Sequence, residues 1–176
     1  MKEIQNDREL VFERLLNAPR ALVFKVWTDP VHIVQWWGPN GFTNTNHGMD
    51  VSTNGVWRFT MHGPDGTDYK NKIVFLEVTE PERIVYRHSD DEDTEPIHFH
   101  VTVTFDAQGN KTLLTMRMLF DTREELEKVA REYGAIDGAH QTIARLEAYV
   151  TDEHPAIPDS IPFTLTRRFD APRDLV

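Results

Sequence analysis

Between Phe42 and Phe120 apolar residues recur at every second position, interrupted by short polar clusters. A period of two sends successive side chains to opposite faces of a strand, so this stretch must fold as a sheet with one buried face and excludes a helical bundle. The interruptions are turn chemistry: Asn54-Gly55, Pro64-Asp65-Gly66, Glu80-Pro81-Glu82 and Gln108-Gly109-Asn110. Strands are therefore expected at 42–49, 56–62, 69–79, 83–88, 96–106 and 111–120. Short connections between them predict an antiparallel meander.

Elements on either side complete the plan. Residues 9–16 alternate as a further strand with Leu10, Phe12, Arg14 and Leu16 on one face. Asn17-Ala18-Pro19 then opens a helix that runs to about Trp27, with Asn17 expected as its cap, and Asp29-Pro30 opens a second helix ending near Gly38-Pro39. After the sheet, Asp121-Thr122 caps a polar helix over 123–133, which Gly134 interrupts. A last helix from about 135 to 151 places Ile136, Ala139, Ile143, Leu146 and Val150 at spacings of three and four, an apolar stripe that must be buried against the sheet. The fold class expected is α+β, an antiparallel sheet wrapped around a long C-terminal helix.

The chain also repeats itself. Residues 163–176 restate residues 10–23 at an offset of 153, with Arg14/Arg167, Ala18/Ala171, Pro19/Pro172, Arg20/Arg173, Leu22/Leu175 and Val23/Val176 identical. Pro155, Pro158 and Pro162 punctuate the segment between. The division expected is a domain over 1–153, a Pro-rich linker over 154–162 and the beginning of a truncated second copy over 163–176. A second domain is then expected beyond Val176. An orphan strand recruits sheet edges, so strand exchange or a homodimer through the C-terminal tail is a further expectation.

Charge and cysteine content restrict partners. Nineteen Lys and Arg against 29 Asp and Glu give a formal charge of -10, and no basic run offsets it. Nucleic acid and anionic membrane are therefore not expected partners. The absence of cysteine removes thiolate chemistry and suits a reducing cytoplasm, the expected location. Neither a signal peptide nor a spanning apolar segment is seen.

One strand, two short helices, six antiparallel strands and a long terminal helix is the order of the helix-grip fold. The motifs Asn17-Ala18-Pro19-Arg20, Trp27-Thr28-Asp29-Pro30, Trp36-Trp37-Gly38-Pro39, Gly63-Pro64-Asp65-Gly66, Pro81-Glu82-Arg83-Ile84 and Thr102-Val103-Thr104-Phe105 follow one another along it. Together they resemble the bacterial activator-of-Hsp-ninety-ATPase-like (AHSA-type) family of the START-like, polyketide-cyclase-like (SRPBCC) superfamily, over residues 8–151. The sequence departs from that family at Asn54-Gly55-Val56-Trp57, where two glycines are common, so an altered turn is expected there. What the resemblance implies is a ligand cavity between sheet and helix.

The residues suit such a cavity. Trp57, Phe59 and Met61 share one strand face; Phe99, Val101, Val103 and Phe105 share another; Leu114, Met116, Met118 and Phe120 share a third. The expected ligand-binding set is Trp36, Trp37, Trp57, Phe59, Tyr69, Phe99, Met116, Ile136, Ala139, His140 and Ile143. Flat aromatics and adaptable methionines suit a small apolar or aromatic molecule. An ordinary packed core would use the same residues. The gap is expected to be widest at Gly138 and Ala139, where the stripe begins with small side chains. Trp36 and Trp37, about 100° apart on a helix, are expected to do different jobs, one buried and one beside the entrance.

Catalytic chemistry is less well provided for. His98 and His100 share a strand face, but Phe99 and Val101 claim the buried one, and no third ligand follows from spacing, so no metal site is expected. His140 with Asp137 or Tyr69 is a candidate acid–base group, and a partly solvated histidine fits equally well. Ser52, Ser89 and Ser160 lie in no nucleophile elbow, and no phosphate loop is present. Arg14, on an otherwise apolar face, calls for a carboxylate, an anionic ligand group or a route to solvent. The acidic run 89–95 reads as a solvated hairpin loop. The function expected is a binding module without covalent chemistry or cofactor. The alternatives are a polyketide-cyclase-like enzyme using His140 or Tyr69 in the same cavity, and a chaperone-associated module implied only by the family's name.

Overall fold

The computed structural model describes residues 2–5, 7–91, 99–132 and 134–153. The expected linker and second copy over 154–176 lie outside the described residues, as do His98 and most of the acidic run. The strands are β1 (Lys2–Gln5), β2 (Glu9–Leu16), β3 (Thr43–Met49), β4 (Val56–His62), β5 (Asp68–Thr79), β6 (Arg83–Asp90), β7 (Phe99–Gln108) and β8 (Lys111–Leu119). The helices are α1 (Arg20–Thr28), α2 (Pro30–Trp36), α3 (Arg123–Glu132) and α4 (Ala135–Glu153). All eight strands form one antiparallel sheet in the order β1-β2-β8-β7-β6-β5-β4-β3, the helix-grip arrangement. The meander from β3 to β8 follows sequence order, as the short turns require.

Three local features differ from the sequence reading or complete it. The four residues of β1 extend the sheet beyond β2, pairing from Lys2↔Glu13 to Gln5↔Leu10. So short a charged segment carries no alternation to detect. Asn17 does not cap α1: Pro19 occupies the cap position at φ -62, ψ 145, with no side-chain hydrogen bond, and its carbonyl accepts from Leu22 and Val23. The proline ring fixes that φ, so the helix starts one residue after it and leaves Asn17 too early to reach the first free N–H groups. Asp29 serves two helices: its backbone N–H closes α1 on the Lys25 carbonyl, and its carboxylate accepts from Val31 at 2.8 Å to open α2.

Turn chemistry elsewhere is used as written. Asn54 stands at φ 67, the left-handed region that Asn tolerates, so the turn forms without a second glycine. Its N–H donates to Phe75 and the Phe75 N–H donates to Gly55, while a Cβ on Gly55 would sit 2.2 Å from the Asp50 carbonyl oxygen. Thr122 and Glu125 close a reciprocal capping box on α3, with Glu125 N–H on the Thr122 hydroxyl and Glu125 Oε2 accepting from Thr122 N–H. Gly134, at φ 57, then breaks the chain between α3 and α4.

Register defines the inner face of the sheet. One row across it reads Phe75–Tyr86–Val101–Met118–Leu10, and the next reads Ile84–Val103–Met116–Phe12. These side chains join α1, α2 and α4 in one core that includes Val23, Trp27, Ile33, Ile143, Leu146 and Val150. No helix among the described residues is long and apolar enough to cross a membrane.

Candidate functional site

Helix α4 bounds the interior, and polar contacts hold it along both sides. On one side Arg145 Nη1 donates to the carbonyls of Gly38 at 2.9 Å and Pro39 at 2.8 Å and reaches that of Trp37 at 3.3 Å, while Nη2 donates to Gln35 at 3.1 Å. The last carbonyls of a helix lack intrahelical partners, and the guanidinium supplies them for α2 and the loop after it. Partial burial lowers the affinity of Arg145 for its proton. Gln141 Oε1 accepts from the Asn40 N–H at 2.9 Å, and His32 Nδ1 shares a hydrogen bond of 2.9 Å with the Tyr149 hydroxyl. On the other side Arg14 of β2 pairs with Glu147, each about a third exposed. Of the three environments open to Arg14, the structure shows a carboxylate, that of Glu147. His140 meets buried Phe12 edge-on, ring centres 5.2 Å apart.

Within this frame the aromatic residues separate into two groups. Trp27, Trp36, Trp37, Trp57 and Phe59 form a continuous cluster, with Trp27 also against Phe105. Trp57 stacks on Phe59 with centres 3.9 Å apart. The indole N–H of Trp36 donates to the Val26 carbonyl at 3.2 Å, and that of Trp57 to Asn46 Oδ1 at 3.1 Å. Trp36 is 1% exposed and Trp37 9%. Their partners differ: Trp36 turns back onto α1, and Trp37 bridges α1 to β4 through Trp27 and Trp57.

The second group lies on the central strands. Phe99 stacks on His88 with centres 5.0 Å apart and leans on Phe120 at 5.2 Å. Met116 and Met118 are buried, Ala139 and Ile143 of α4 are buried, and Ile136 packs half-buried against the same core. Tyr69 stands apart from both groups. It is 42% exposed, opposite Met61 and against Phe42. Asp137, one turn before His140 on α4, is exposed, and Tyr69 packs on Phe42. Among the described residues no three His, Cys, Asp or Glu side chains converge as a metal site needs.

Tyr86, which the sequence reading did not single out, sits in the middle of the inner face between Phe75 and Val101. It is 3% exposed, and burial pushes its phenol well above the usual tyrosine range, so it stays protonated. No hydrogen bond engages its hydroxyl among the described residues. Its place in the alternation Ile84, Tyr86, His88 was the available signal. An open depression of about 330 Å³ lies elsewhere, beside the β3–β4 bulge, lined by His47, Gly48, Met49, Asp50, Val56 and Arg58. It contains none of the expected ligand residues, and its open, mixed lining does not suit an enclosed apolar ligand.

Comparison with known proteins places this architecture. The family described as "Activator of Hsp90 ATPase homolog 1-like protein" matches residues 17–151. A solved structure from Mycobacterium smegmatis is similar at 25% identity and TM-score 0.79, over 88% of this chain and 99% of that one. One from Nitrosomonas europaea is similar at 23% identity and TM-score 0.76, over 87% of this chain and all of that one. A protein of the same family name from Silicibacter pomeroyi is similar at 23% identity and TM-score 0.64, over 83% of this chain and 99% of that one. No curated protein matches the chain.

Proposed function

Since the chain belongs to the activator of Hsp90 ATPase homolog 1-like family, we propose that it is a binding module holding a small apolar or aromatic molecule between α4 and the inner face of the sheet. It performs no covalent chemistry on that molecule. The observation that carries the reading is the uneven interior. Bulky rings fill one part against each other, whereas the first turns of α4 include the small Gly138 and Ala139 between Ile136 and His140, and a Cβ on Gly138 would make only ordinary contact with Pro39 at 3.5 Å. An uncharged flat molecule entering there gains about 25 cal/mol per Å² of apolar area removed from water. The lack of cysteine supports a cytoplasmic setting.

Filling the space tests this. An uncharged solvatochromic dye is expected to bind the wild-type protein saturably with a blue-shifted emission. Ala139→Phe is expected to abolish that binding while the melting temperature stays within about 5 °C, roughly 1–2 kcal/mol. A wild-type protein that binds no such dye, or an Ala139→Phe variant that unfolds, would mean that the interior is already packed, and the reading would be abandoned.

A further inference from the structure

Tyr86 puts a hydroxyl at the centre of the inner face of the proposed binding module. We infer that Tyr86 is the polar anchor of the pocket and that the ligand is an uncharged, flat molecule carrying an acceptor oxygen, a ketone, ester or quinone carbonyl, which accepts a hydrogen bond from the Tyr86 hydroxyl. The inference rests on the binding-module reading and specifies its ligand.

Placement comes first. Tyr86 belongs to β6, an interior strand of the sheet, with Phe75 across one side and Val101 across the other. Beyond Val101 the same row continues to Met118 and Leu10. Its surroundings are thus apolar in both directions along the row. A phenol buried to 97% ordinarily finds a partner, because its hydroxyl gives up water on folding. Here none of the described residues provides one. The hydroxyl is also absent from the polar atoms sealed without a partner, which include Asn44 Oδ1 and Arg87 Nε, so it retains contact with accessible space. An oxygen that is neither bonded nor sealed, on the inner face of the sheet, is where a ligand atom can be met.

The chemistry of the acceptor follows from what surrounds it. A protonated phenol donates one hydrogen bond and carries no charge, so it complements a neutral oxygen. Anionic ligands would call for a cation. The two arginines that reach the interface of α4 are already engaged, Arg14 by Glu147 and Arg145 by backbone carbonyls of residues 35, 37, 38 and 39. Flatness is suggested by the parallel stack of Phe99 and His88, whose planes differ by 12°, one position further along β6 on the same face.

Two uncharged ligands of nearly the same shape separate the possibilities: 2-acetylnaphthalene, which has a carbonyl, and 2-isopropylnaphthalene, which has none. With the full chain, calorimetry is expected to show the ketone binding about tenfold more tightly than the hydrocarbon. In Tyr86→Phe the ketone should lose that advantage, with hydrocarbon affinity unchanged within about twofold. The carbonyl stretch of the ketone bound to wild-type protein should also fall to the frequency of a hydrogen-bonded carbonyl, a readout that does not depend on the variant folding. If both ligands bind equally, if Tyr86→Phe keeps the ketone advantage, or if the bound carbonyl absorbs as in hydrocarbon solvent, Tyr86 is not the anchor and the binding-module reading stands without it. If neither ligand binds wild-type protein, the binding-module reading fails and takes the anchor with it.

Discussion

The tryptophan cluster and the region around Tyr86 are built on the same sheet, but they are filled differently. In the cluster every ring meets another, and the indole N–H groups of Trp36 and Trp57 are paired. Around Tyr86 the row is Phe75 on one side and Val101, Met118 and Leu10 on the other, and among the described residues the buried hydroxyl meets no hydrogen-bond partner. Close packing with satisfied donors is what stability selects. A donor left without a partner costs about 1–3 kcal/mol where it is also cut off from water. The cluster is accordingly assigned to holding the two short helices on the sheet, and the Tyr86 region to holding a ligand.

That division has measurable consequences. Trp27→Ala removes a ring at the junction of Trp36, Trp37 and Phe105, and should cost about 3–5 kcal/mol in urea unfolding. Phe99→Ala, on a half-buried ring, should cost about 1–2 kcal/mol and should weaken dye binding more than Trp27→Ala does at a temperature where both variants are folded. Equal losses of stability and of binding in the two variants would erase the distinction between the regions.

A smaller effect is expected at the frame that both regions share. Arg145→Met keeps the length of the side chain but strips its donors from the α2–β3 loop. It should cost about 1–3 kcal/mol and raise amide exchange in residues 38–44, with the tryptophan emission unchanged. A loss under about 0.5 kcal/mol would mean that water satisfies those carbonyls as well as the guanidinium does.

The sequence revealed the architecture because its signals are local. The alternation over 42–120 and the turn residues between its segments mark β4 at 56–62, as observed, and place the other strands of the meander within a few residues. Failures came where information was short or distant. β1 has four residues, too few for a period to show. Arg145 acts on carbonyls more than a hundred positions away, and nothing in its own helix announces them. Alternation carries no information about depth: Tyr69, named for the ligand-binding set, pairs with Met61 and is 42% exposed. Tyr86 was legible as a strand residue. That its hydroxyl finds no partner among the described residues is a property of the folded interior alone.

The division of the interior can be read in one titration. Adding 2-acetylnaphthalene to isotopically labelled protein and following amide, methyl and indole resonances should give saturable shifts centred on Tyr86, Phe99, Met116, Met118 and Ala139, with the Trp36 indole N–H unmoved. Shifts that never saturate, or that centre on the four indoles instead, would place no ligand site beside Tyr86 and would overturn the assignment of the two regions.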